Sequence, residues 1–136
     1  MEKTDFRGYR ALVLEVRQLR EQLTALEASM YSPRTSRPSL TPKAHGGSHG
    51  PEDAIARHIK LAEWYHTNLA EKEARQLAIE QAIESLEDPA ERLVMRYRYI
   101  EGQRWAYIIT RLAELGYSDR QTYRLHGFAL LKLKEV

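Results

Sequence analysis

Between Ser118 and Arg124 the chain reads SDRQTYR, which places two guanidiniums, an amide, a phenol, a carboxylate and two hydroxyls within seven residues. Arg120 and Arg124 are four positions apart, so a helix would project both from one face. A guanidinium can donate two hydrogen bonds to guanine O6 and N7, and a good pair of this kind discriminates by roughly 1 to 3 kcal/mol. Asp119, Gln121 and Tyr123 complete the candidate base-contacting set. The chemistry on offer is recognition and not bond breaking. There is no P-loop, GxSxG or HExxH pattern, and with no cysteine the chain lacks thiolate nucleophiles, thiolate zinc sites and iron–sulfur clusters. No enzyme activity, catalytic residue, cofactor or metal is expected.

The elements that must position these residues are legible nearby. Ser118 and Gln121 have the spacing of a capping box, which opens a helix whose inner face and tail comprise Leu125, Phe128, Ala129, Leu130 and Leu133, with Thr122 also inward. Before it, Trp105, Ile108, Ile109, Leu112 and Leu115 recur at helical spacing over 103–115, and Gly116 ends that helix. Helix, short turn and capped helix together predict a helix-turn-helix, the first helix bracing and the second entering the major groove. The unpaired N–H groups of the second helix's first turn favour a phosphate near Ser118. Gln121 cannot easily both cap the helix and read a base. Further upstream, Asp88 as N-cap and Pro89 at N1 open a helix carrying Leu93, Val94, Tyr97 and Ile100, expected to stop at Gly102. Of the arginines on these supporting helices, Arg96 and Arg104 are the preferred phosphate contacts.

The stretch from Ile83 to Leu133 resembles the C-terminal DNA-binding domain, region four, of bacterial sigma factors. It resembles more closely the phage RinA/ArpU-like transcriptional regulators related to that domain. The likeness rests on LEDPAERLV at 86–94, RYRYIEG at 96–102, Trp105 and Ile108, the GYS turn at 116–118 and YRLHGFALLKL at 123–133. It implies a sequence-specific DNA binder acting on transcription, of phage or prophage genes, often as an activator of late genes, with 118–124 in the groove. No segment resembles the sigma region that melts the promoter, and AEL before Gly116 lengthens the bracing helix relative to the sigma version.

The rest of the chain lies outside that likeness. Tyr9, Leu12, Val16, Leu19, Leu23, Leu26 and Met30 alternate steps of three and four, a heptad seam over 1–30 that suits either self-association through Val16, Leu19, Leu23 and Leu26 or packing on its own chain. Residues 31–51, with four prolines and three glycines, are expected to be a disordered linker. His45 and His49 in it, with His58 and His66 beyond, could suggest a metal site, but no acidic or sulfur ligand joins the linker pair and a disordered stretch leaves ligands unpositioned. A long acidic helix is expected over 52–87, with a stripe of Ile55, Ile59, Ala62, Tyr65 and Leu69, a second stripe of Ile79, Ile83 and Leu86, and a broken or solvated stretch, AEKEARQ, between them.

A net charge of +2 over 136 residues hides an asymmetry. Residues 1–30 hold 5 basic and 5 acidic residues, 31–51 hold 3 and 0, 52–91 hold 4 and 10, and 92–136 hold 9 and 4, so the segments carry 0, +3, −6 and +5. The basic end suits a polyanion. No uncharged apolar run approaches a membrane span, and MEKTDFRGYR lacks a signal-peptide pattern, so the expectation is a cytoplasmic, nucleoid-associated protein of a bacterial host cell. The sequence thus predicts an all-α regulator: a seam helix, a linker, a long helix and a helix-turn-helix domain over 88–136. Its expected partners are double-stranded DNA, RNA polymerase and a second copy in a homodimer. A small terminase-like packaging protein and a helical adaptor binding only protein are the alternatives.

Overall fold

The computed structural model describes residues 1–31 and 50–136, and surface positions for all of these except Tyr31. Within them the fold is all-α: α1 (Lys3–Arg7), α2 (Tyr9–Tyr31), α3 (Pro51–Glu84), α4 (Pro89–Met95), a π-helical turn (Arg96–Ile100), α5 (Trp105–Ala113) and α6 (Asp119–Leu133). No helix among the described residues is long and apolar enough to cross a membrane. The expected linker, with His45 and His49, lies apart from its ends outside the described residues.

Two compact units form, one from Met1–Leu14 with Glu73–Val136, the other from Glu15–Lys72. This grouping departs from the divisions at 30 and 87 suggested by composition, because side chains pack by apolar face and not by segment charge. In the larger unit, Phe6, Tyr9 and Leu12 join Ile79, Ile83, Met95, Tyr99, Ala129 and Leu133 in one core cluster. A second cluster, Ala90, Val94, Ile108, Leu112 and Leu125, holds α4, α5 and α6 together. Buried Glu91 ties α4 to α6 by accepting from Lys132 Nζ, and the buried carboxylate thereby has the cationic partner it requires. Arg92 donates to the carbonyls of Leu86 and Glu87, closing the turn before α4.

In the smaller unit Val16, Leu23 and Leu69 are buried, with Leu19, Ala62 and Tyr65 packed around them. Of the two partners open to the seam, its own chain supplies one here: Val16 and Leu23 pack on Leu69 of α3, while Leu19 stays half-buried. Leu26 is half-buried. One expectation is corrected here. Ile55 and Ile59 are exposed and do not extend the α3 stripe. The AEKEARQ stretch is continuous helix and for the most part solvated, the second of the two alternatives open to it, because its residues are good helix formers. Lys72 pairs with Glu15 at 3.0 Å, and His66 Nε2 lies 3.4 Å from Glu27.

The helix opened by Asp88 is not wholly α. The Glu101 N–H donates to the Arg96 carbonyl, a five-residue step that adds a residue to the turn and rotates the faces. Val94, Met95 and Tyr99 are buried, whereas Leu93, Tyr97 and Ile100 are half-buried. Gly102 then reverses the chain with φ +71°, and a Cβ there would stand 2.6 Å from the Arg10 side chain, which donates to the carbonyls of Ile100 and Glu101.

Candidate nucleic-acid interface

The join between α5 and α6 is built from local chemistry. Gly116, at φ +89°, occupies the left-handed position after α5 that favours glycine. Its N–H donates to Ala113, and that of Tyr117 to Leu112, the paired bonds of a Schellman stop. Two residues on, Ser118 caps α6. Its hydroxyl accepts from the Gln121 N–H at 3.1 Å, and the Gln121 side-chain oxygen accepts from the Ser118 N–H at 2.8 Å. The capping box is thus formed as its spacing predicts.

The facing of α6 follows from its buried side. Thr122, Leu125, Ala129 and Leu133 point inward, and the Thr122 hydroxyl donates to the Ser118 carbonyl at 3.0 Å. Phe128, expected on the inner face, is 49% exposed, since it follows Leu125 by three positions on the side away from Ala129 and Leu133. Asp119, Arg120, Gln121, Tyr123 and Arg124 are all exposed. Neither Arg120 nor Arg124 is ion-paired among the described residues, so both guanidiniums keep their donors available. Gln121 has its carbonyl committed to the cap, and the two-bond pair with adenine needs that carbonyl together with the amide N–H.

The supporting arginines differ in what they touch. Arg96, a preferred phosphate contact, is half-buried and lies 3.9 Å from Glu84 of α3. Arg104 is exposed and serves through its backbone, its carbonyl accepting from Tyr107 and Ile108. Arg98 takes the place beside α6: its guanidinium lies 5.1 Å from the centre of the Trp105 ring and donates to the Gln103 carbonyl. The π-helical turn is the cause, because it redistributes RYRYI around the helix axis.

Trp105 is the hub of an aromatic group that sequence spacing does not single out. Its ring centre lies 4.9 Å from Tyr123 and 4.8 Å from His126, and Tyr99 Oη is 2.7 Å from His126 Nε2. Burial, with Lys3 and Arg98 nearby, pushes His126 down to about 4, so it is neutral at pH 7 and shares one hydrogen bond with the Tyr99 hydroxyl through Nε2, the tautomer setting which of the two donates. Burial likewise raises the Tyr99 phenol. These rings and the side chains of Lys3, Arg7 and Arg98 line a cleft of about 450 Å³. Lys3 and Arg7 come from α1, held in place by Phe6, which is fully buried with its ring 5.8 Å from Tyr99. No family model, curated protein or solved structure matches the chain.

Proposed function

We propose that the protein is a sequence-specific DNA-binding transcriptional regulator that places the first turns of α6 in the major groove, with α5 as the bracing helix. The observation that carries this reading is the pair Arg120 and Arg124, exposed, without ion pairs among the described residues, and one turn apart on a helix whose facing is set by buried Thr122, Leu125 and Ala129. Such a pair can donate to base edges without first breaking internal contacts. Tyr123 and Asp119 stand beside it, and the Ser118 cap is suited to a backbone phosphate. The +5 charge of residues 92–136 supports a polyanion partner. A phage or prophage origin, action with host RNA polymerase in the bacterial cytoplasm and control of late genes follow the likeness of 83–133 to the RinA/ArpU type. Duplexes selected from random DNA by the full chain test the reading. Arg120→Ala with Arg124→Ala should weaken binding to the selected site by about 2 kcal/mol or more, some 30-fold, and relax its specificity. Unchanged affinity and specificity would overturn the assignment of α6.

A further inference from the structure

The cleft beside α6 has a composition that the recognition residues do not explain. Lys3 and Arg7 are four positions apart on α1 and so share a face; they converge there with Arg98 of the π-helical turn. No carboxylate lines the cleft, and neither Lys3 nor Arg7 is ion-paired among the described residues. Three cations around one concavity repel one another, and an anion entering it would relieve that repulsion. The third cation is not a loose surface charge, because the Trp105 ring and the Gln103 carbonyl hold it. One wall of the same cleft is Tyr123, whose sequence neighbour is Arg124, so the cations flank the face of α6 proposed to meet DNA.

We propose that Lys3, Arg7 and Arg98 form a phosphate site that takes a backbone phosphate of the duplex read by α6, making the N-terminal helix α1 part of the DNA-binding surface. The inference rests on the DNA-binding reading above. Phosphate oxygens suit this site because three cations with mobile or planar donors can surround one anionic group, whereas nothing in the cleft is arranged to read a base edge. Such contacts position the protein without discriminating sequence. A free mononucleotide presents the same phosphate chemistry as the duplex backbone, so the experiment separates the two.

The test uses the full chain, a labelled selected-site duplex and a scrambled duplex, with binding followed over a salt gradient. Lys3→Ala with Arg7→Ala should weaken both duplexes by the same factor. It should also flatten the plot of log affinity against log salt by up to about 0.9, the slope of one lost phosphate contact. Both side chains are exposed and unpaired among the described residues, so the melting temperature should hold or rise. Lys3→Arg with Arg7→Lys, which keeps both charges, should restore the slope. An unchanged slope in the alanine variant, while Arg120→Ala with Arg124→Ala still weakens the selected duplex, overturns the phosphate site and leaves the DNA reading standing. Absence of salt-dependent duplex binding by the unmodified chain overturns the DNA reading and the site with it. Competition by a mononucleotide that is lost in the alanine variant, with duplex binding unaffected by that variant, assigns the cleft to a free ligand and also overturns the proposal.

Discussion

His126 shows how a single residue acquires a property from its surroundings. Its imidazole titrates near 6.5 in an unfolded chain and at about 4 in the folded one, because burial disfavours the cation and Lys3 and Arg98 repel it. Between these values the unfolded state binds a proton that the folded state refuses, so His126 favours folding fully above pH 6.5. That contribution is lost as pH falls toward 4. The shift corresponds to at most about 3 kcal/mol. Urea midpoints of the full chain at pH 7, 5.5 and 4.5 should fall more steeply than those of His126→Phe; parallel curves would assign the acid sensitivity to other groups. The sequence does not advertise this residue, since a lone histidine on a helix has no diagnostic spacing. Arg98 was equally concealed: five arginines on the supporting helices look alike until the π-helical turn sets which one stands over Trp105. Arg120 and Arg124, by contrast, were legible, because their exposure depends only on the phase of a helix whose start Ser118 marks.

Among the elements, α6 is the one whose ends are most strongly specified. Its capping box satisfies two N–H groups that would otherwise lack intrahelical partners. Ser118→Ala removes the acceptor for the Gln121 N–H and should cost about 1 kcal/mol, read as a lower urea midpoint with an unchanged slope. A loss of only a few tenths would mean that water satisfies this end as well as the serine does. The bracing helix stops where Gly116 permits, and α4 starts at the Asp88 cap, whose side chain accepts from the Ala90 N–H at 2.9 Å. The π-helical turn had no comparable signature. RYRYI fits an α-helix by propensity, and the extra residue is accommodated in a segment that buries Tyr99 against Phe6 and His126 while Gly102 and Arg10 hold its end. The exposed Ile55 and Ile59 were likewise misassigned because periodicity identifies a face without naming what covers it.

On the scale of the whole molecule, the heptad pattern at the N-terminus was read correctly as helix but left two partners open. Val16 and Leu23 are buried with Leu69 of the same chain. Leu23→Glu would place a carboxylate in that cluster and should cost about 3 kcal/mol of stability. The melting temperature should fall by the same amount at low and high protein concentration; a concentration-dependent loss would instead mark the seam as an association surface. Charge is also organised at this scale, the acidic residues of 52–91 and the basic ones of 92–136 belonging to different stretches of a nearly neutral chain. What the sequence determined by itself were the helices, their caps and the glycine stop, because each depends on residues within a few positions of one another. Only the tertiary structure decided that Phe6 would dock α1 in the core and bring Lys3 and Arg7 to Arg98, Trp105, Tyr123 and His126. That convergence depends on the rotation imposed by the π-helical turn and on packing between residues some ninety positions or more apart, such as Arg10 with Ile100 and Glu101, which no local pattern encodes.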